Sequence, residues 1–248
     1  MSTRTGIADL HMHTCHSDGV PTVRALLDHV ALHTRLDVIA LTDHDTIAGA
    51  LEARTLAQQA GYPFEVIVGE EVSTRQGHLV GLFLRERIPP GLSPTETVAA
   101  IHAAGGLAFA PHPFYHAEQI EGRPITMEGL GRLIDDLDLD AVETINATPT
   151  LGAANRRAAR YQAARRRLAP LGNSDGHILA AIGKGYTTFP GSTAQDLRVA
   201  IGAGTTAAGA RPYTVPELWA YLRFWVGQSR AAAAISARRW RPAARRAL

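Results

Sequence analysis

Ile7-Ala8-Asp9-Leu10-His11-Met12-His13-Thr14-Cys15-His16-Ser17-Asp18 begins as a short apolar run and closes on side chains able to hold a metal. Ile7–His11 reads as a strand. Side chains of an extended segment alternate between faces, so His11 and His13 present their imidazoles on the same side. The pattern recurs downstream. Asp43 and His44 follow the run Val38–Thr42, and Glu70 and Glu71 follow Glu65–Val68. His78 precedes Leu79–Leu84, and His112 follows Leu107–Ala110. Asn146 follows Ala141–Ile145, and Asn173, Asp175 and His177 follow Leu168–Leu171.

Helical patterns separate these runs: Val23–His33, Thr46–Ala60, Thr95–Ala104, Met127–Leu137, Ala153–Arg167 and Thr193–Gly202. Strand alternating with helix predicts an α/β fold with a parallel sheet, either doubly wound or a barrel. Polar residues at nearly every strand end select the barrel, whose C-terminal strand ends meet on one face. A doubly wound sheet would gather its ligands at one switch point.

The length of 248 residues suits one such domain, and 46% hydrophobic against 19% charged residues excludes a disordered chain. A single cysteine, Cys15, rules out a disulfide framework and a thiolate zinc finger. The start lacks a signal-peptide core, and the longest stretch without Asp, Glu, Lys or Arg, Thr97–Ala117, is broken by His, Gly and Pro. A cytoplasmic protein without a transmembrane segment is expected; nothing in the sequence specifies an oligomeric state. Of 25 basic residues only Lys184 is lysine. Six arginines fall between Arg156 and Arg167, and eight more between Arg211 and Arg246 face the single acid Glu217. Two parts are expected: a catalytic domain over 1–210 and an Arg-rich helical extension over 211–248. Leu218, Leu222 and Trp225 fall at helical spacing in that extension, with Trp219 and Val226 widening the stripe. It reads either as a helix packed on the barrel or as a basic interfacial arm.

Nine residues stand out as candidate ligands: His11, His13, Asp18, His44, Glu71, His78, His112, Asp175 and His177. Imidazole and carboxylate without sulfur suit zinc, manganese or iron. Nine are too many for one four-coordinate ion and enough for two or three if a carboxylate bridges.

Asp9-Leu10-His11-Met12-His13 through Asp18-Gly19 resembles the opening motif of the PHP family, named for polymerase and histidinol phosphatase. Leu41-Thr42-Asp43-His44-Asp45-Thr46, Gly69-Glu70-Glu71-Val72-Ser73, Gly77-His78, Pro111-His112-Pro113 and Asn173-Ser174-Asp175-Gly176-His177 are similar to its later motifs, in order. The resemblance implies a distorted seven-stranded (β/α) barrel and a trinuclear site of divalent ions. His11, His13, Glu71 and Asp175 would hold the first ion. Glu71 would bridge to the second, with His78 and His112, and Glu70 is its rival for that role. Asp18, His44 and His177 would hold the third. Glu71, Asp175 and His177 form the implied catalytic group. Asp43, Asp45 and His16 are either orienting partners of the ligands or turn and cap residues.

The reaction so implied is phosphoester hydrolysis by a metal-activated hydroxide. A small phosphomonoester is the favoured substrate, with Arg156 and Arg157 as candidate contacts to its phosphate. The segment from Pro113 to Gly172, with Tyr115, His116, Arg123 and Arg132, is a candidate lid. A nucleic-acid phosphodiesterase or exonuclease is the alternative, and a non-catalytic regulatory domain the third reading.

Overall fold

The computed structural model describes residues 4–115, 129–165 and 168–239. Nine strands form one sheet: β1 (Thr5–Asp9), β2 (Val38–Leu41), β3 (Glu65–Thr74), β4 (Gly77–Leu82), β5 (Leu107–Ala110), β6 (Ala141–Asn146), β7 (Ala169–Asn173), β8 (Gly185–Pro190) and β9 (Ala207–Ala210). Their order is β7-β6-β5-β4-β3-β2-β1-β8-β9. The helices are α1 (Val23–His33), α2 (Ala48–Ala60), α3 (Pro94–Ala103), α4 (Gly152–Ala164), α5 (Ala194–Gly202) and α6 (Val215–Arg239).

The barrel-like architecture agrees with the sequence reading, with three corrections. Nine strands replace the expected seven, because Gly185–Pro190 and Ala207–Ala210 also join the sheet. The sheet is mixed: β3–β4, β4–β5, β1–β8 and β8–β9 are antiparallel. The expected helix over Met127–Leu137 contracts to a 3-10 turn at Gly131–Asp136, with Met127 outside the described residues.

Alternation along the strands sorts two cores. Ile39, Leu41, Val68, Leu79 and Ala108 face outward, packing with Leu26, Leu27 and Val30 of α1, Ala50 and Ala53 of α2, and Val98 and Ile101 of α3. The apolar positions Val23, Leu26, Leu27 and Val30 lie on one helical stripe, and the Thr22 hydroxyl caps the start by accepting from the Ala25 amide. Val38, Ala40, Ile67, Val80, Leu82, Phe109 and Leu171 face inward, joined by Leu197, Ala200 and Ile201 of α5. Capping boxes at Ser93 and Thr193 set the starts of α3 and α5.

β7 and β8 approach each other without a strand ladder. The Thr187 hydroxyl donates to the Gly172 carbonyl (2.9 Å) and accepts from its amide (3.0 Å). The Thr206 hydroxyl donates to the Pro170 carbonyl (2.8 Å). Glycine permits this approach, since a Cβ at Gly185 would lie 1.9 Å from the Asn173 oxygen.

The chain divides into two compact units, Met1–Pro212 and Tyr213–Leu248. The second contains α6, whose start is fixed by the Thr214 amide donating to Glu217 Oε2 at 2.7 Å. Residues 240–248, the end of the expected helical stretch to Arg246, lie outside the described residues. Among the described residues no helix is long and apolar enough to cross a membrane.

Candidate metal centre

The β3–β4 hairpin builds the centre. Its register pairs Glu71 with Val80 and Ser73 with His78, which puts Glu71 and His78 on the same inner face. Because β4 runs antiparallel, its first residues, and His78 with them, lie at the same end as the C-terminal ends of the parallel strands. Alternation along β3 sends Glu70 to the opposite face, where Oε2 accepts from the Ile88 amide at 2.8 Å. Burial pushes the Glu70 carboxyl up to about 7.

Five imidazoles surround the Glu71 carboxylate. Oε1 lies 3.0 Å from His78 Nδ1 and 3.2 Å from His112 Nε2. Oε2 lies 3.0 Å from His11 Nε2, 3.2 Å from His13 Nε2 and 3.5 Å from His44 Nε2. Asp175 adds a second carboxylate, with Oδ1 3.5 Å from His11 Nε2, 3.3 Å from His13 Nε2 and 3.6 Å from His177 Nδ1. Asp18 Oδ2 lies 3.2 Å from His177 Nε2 and 3.9 Å from His44 Nε2, and Oδ1 lies 3.7 Å from His13 Nδ1.

These contacts resolve into four overlapping groups, each with ligand atoms within 4.8 Å of one another: His13, Asp18, His44 and His177; His11, His112 and Asp175; His11, His13 and Glu71; His44, Glu71 and His78. All nine residues singled out in the sequence fall in these groups. Two of them, His112 and Asp175, have positive φ, 27° and 52°. Such strain is characteristic of functional sites, at a cost of about 1–3 kcal/mol each.

The donor set fits cations. Both ring nitrogens of His13, Nδ1 of His78 and Nδ1 of His112 are buried and make no well-aligned hydrogen bond, the nearby carboxylates notwithstanding. Orphaned buried nitrogens are costly, and coordination would satisfy them. Electrostatics agrees. Burial opposes protonation of His11 and His13, but the adjoining carboxylates Asp175 and Glu71 overturn it, raising His11 and lifting His13 to about 10. Burial likewise opposes ionisation of Glu71 and Asp175, and the surrounding imidazoles reverse it, holding both well below the usual carboxylate range. His44 is lowered, chiefly by burial.

The sequence reading missed Glu143. This buried β6 carboxylate receives four donors: His11 Nδ1 (3.2 Å) and Asn173 Nδ2 (2.9 Å) at Oε1, and the His112 amide (2.7 Å) and Asn146 Nδ2 (2.9 Å) at Oε2. By accepting from His11 Nδ1–H, Glu143 would fix the tautomer in which the Nε2 lone pair faces Glu71 and Asp175 when a cation is bound. Asn146 also donates to Asp175 Oδ2 at 3.0 Å. The available signal was an acid inside the otherwise apolar strand Ala141–Ile145.

Asp43 neither caps α2 nor orients an imidazole. It accepts from the Thr14 amide and hydroxyl and the Ser17 hydroxyl, all at 2.7 Å, so it holds the loop that leads to Asp18. Asp45 accepts from the Ser73 amide at 2.8 Å, and His16 lies 3.0 Å from Glu52. Arg156 and Arg157 are both exposed on α4, and the Arg157 guanidinium sits 4.5 Å over the ring of Phe114, two residues beyond His112. His116 and Arg123 of the expected lid lie outside the described residues.

A family model described as the PHP domain matches residues 9–122, and a second, described as PHP-associated, matches 152–206. An uncharacterized protein of Methanocaldococcus jannaschii is 43% identical over 159 residues, covering 60% of this chain and 86% of that one. The chain belongs to the PHP family. By that membership it is a metal-dependent phosphoric ester hydrolase. Two further matches are partial. The 5'-3' exoribonuclease Rnm of Escherichia coli is 42% identical over 80 residues, covering 31% of this chain and 27% of its own length. The 3',5'-nucleoside bisphosphate phosphatase of Chromobacterium violaceum is 38% identical over 96 residues, covering 37% of this chain and 30% of its own length. The chain therefore spans less than a third of either enzyme. The PHP fold recurs in a two-domain Bacteroides vulgatus protein containing a predicted PHP-like metal-dependent phosphoesterase, with TM-score 0.67, 20% identity, and coverage of 85% of this chain and 66% of that one.

Proposed function

We propose that this PHP protein hydrolyses small phosphomonoesters, with up to three divalent ions (manganese, zinc or iron) held by the nine residues. The observation that carries the reading is the gradient of exposure around Glu71. Glu71 is 1% exposed at the floor, His177 18% and His44 26% above it, and Asp18 47% at the rim. A site that narrows from a ligand-lined rim to a buried floor suits a terminal phosphate entering end-on better than a phosphate with two bulky arms.

When bound, the ions would supply Lewis acidity toward phosphoryl oxygens and an activated water. His11, His13, Glu71 and Asp175 would hold the first, Glu71, His78 and His112 the second, and Asp18, His44 and His177 the third. Glu71, Asp175 and His177 are the residues assigned to the catalytic step. Glu143 holds His11 in the required tautomer. Arg157, steadied on Phe114, is the stronger candidate of the two arginines for the substrate's phosphate, and Arg156 the weaker.

The nuclease reading is favoured by the partial similarity to 5'-3' exoribonucleases, Rnm among them. The test compares p-nitrophenyl phosphate, bis(p-nitrophenyl) phosphate and a 5'-phosphorylated single-stranded RNA, using the manganese-loaded protein. Monoester turnover well above the other two is expected. Efficient RNA degradation with the monoester untouched overturns the proposal.

A further inference from the structure

Between Leu218 and Val226, five large apolar side chains of α6 lie open to solvent: Leu218 is 43% exposed, Trp219 62%, Leu222 51%, Trp225 49% and Val226 42%. At the helical repeat they occupy one continuous arc of about 120°. Tyr221, on another side of the helix, is 9% exposed and meets Tyr213 and Phe224 in edge-on ring contacts. The open stripe is therefore distinct from the face the helix already buries. Isolated surface leucines need no explanation, but two tryptophans with three aliphatic neighbours form the kind of patch that marks an interaction surface.

Charge selects the partner. From Arg211 onward the chain carries eight arginines and one acid, Glu217, with no lysine or aspartate. A second copy of this segment would bring two strongly cationic helices together. An anionic lipid surface instead complements both features, since it attracts arginines held near it. Tryptophan favours the headgroup level, where its apolar ring is buried and its N–H stays wet. The helix is not apolar enough to span a bilayer, so it would lie in the interface plane.

We propose that the Leu218–Val226 face of α6 docks the protein on anionic membrane surfaces. The test uses the full chain with vesicles of phosphatidylcholine alone and of phosphatidylcholine mixed with phosphatidylglycerol. Co-sedimentation with the mixed vesicles, a blue shift of tryptophan emission, and weakening at high salt are expected. Leu222→Glu combined with Trp225→Glu should weaken partitioning at least about tenfold, from the loss of two buried apolar side chains. Because these residues are exposed, the variant should keep the wild-type unfolding midpoint, which separates lost docking from lost fold. Failure to bind mixed vesicles, equal binding to neutral ones, or unchanged binding of the double variant each overturns the proposal. So does a solution dimer, seen by light scattering, that the double variant splits while no vesicle binding is found.

Discussion

At the scale of single residues, carboxylates with opposite tasks can stand one step apart on a strand. Glu71 and Glu70 are neighbours, yet one meets five imidazoles and the other an amide on the far face. Because Glu70 has a folded value of about 7 against an ordinary 4.5, its favourable contribution is complete below pH 4.5 and is lost as pH rises through 7. Glu70→Gln should thus be more stable than wild type at pH 8, by roughly 3 °C for about 1 kcal/mol in a domain of this size, and should lose that advantage at pH 5. Thermal melts at the two pH values check the crossover. Glu143 is the opposite case. All four of its partners donate, so a glutamine there would turn its own amide protons against two of them. Glu143→Gln should lower metal affinity or turnover about 10–100-fold. Elemental analysis and kinetics at saturating manganese separate the two effects, and wild-type values for both would remove Glu143 from the site.

At the scale of elements, the strand ends were legible because apolar runs stopping at His, Asp or Glu leave a strong local signal. The bounds of α1 and β5 match their sequence patterns residue for residue. β8 and β9 were not legible. Gly185-Tyr186-Thr187-Thr188-Phe189-Pro190 is half polar, and Ala207-Ala208-Gly209-Ala210 has no side chain large enough to show a face. Their pairing is a tertiary outcome: small residues let the backbone approach the seam that Thr187 closes. The direction of β4 was equally hidden, since periodicity does not report whether neighbours run parallel. Thr187→Val keeps the shape and removes both seam bonds, leaving the Gly172 amide and carbonyl unsatisfied. A loss of about 1–3 kcal/mol is expected, read by urea unfolding. Gly49→Ala tests a second contact between elements. Its Cβ would stand 2.4 Å from Asp43 Oδ2, so the loop ending at Asp18 should loosen and metal binding at the Asp18, His44 and His177 group should weaken.

For the whole molecule, stability and cation binding are linked. The carboxylates raise His11 and His13, so cations must displace protons there. Metal affinity should therefore rise with pH across the neutral range, with protons released on binding, as calorimetry in buffers of different ionisation heat would record. Removing cations with a chelator should lower the unfolding midpoint by about 5–10 °C if the site is normally held near 100 times its dissociation constant. Manganese should restore it.

The place of β1 in the sheet has a further consequence for biosynthesis. Within this sheet, β1, the earliest strand in sequence, is flanked by β2 and by β8, the eighth of nine, with Thr5 opposite Pro190. Asp9, next to the paired histidines, accepts from the Ser174 amide 165 residues away. A nascent chain can pair β1 with β2 early, but Asp175, His177 and β8, which complete the surroundings of His11 and His13, follow much later. Completion of the cation-binding face is therefore expected late, when the Asn173–His177 loop and β8 join the earlier strands. Arrested chains of increasing length should stay protease-sensitive until Pro190 has cleared the exit tunnel, then become resistant within a few added residues.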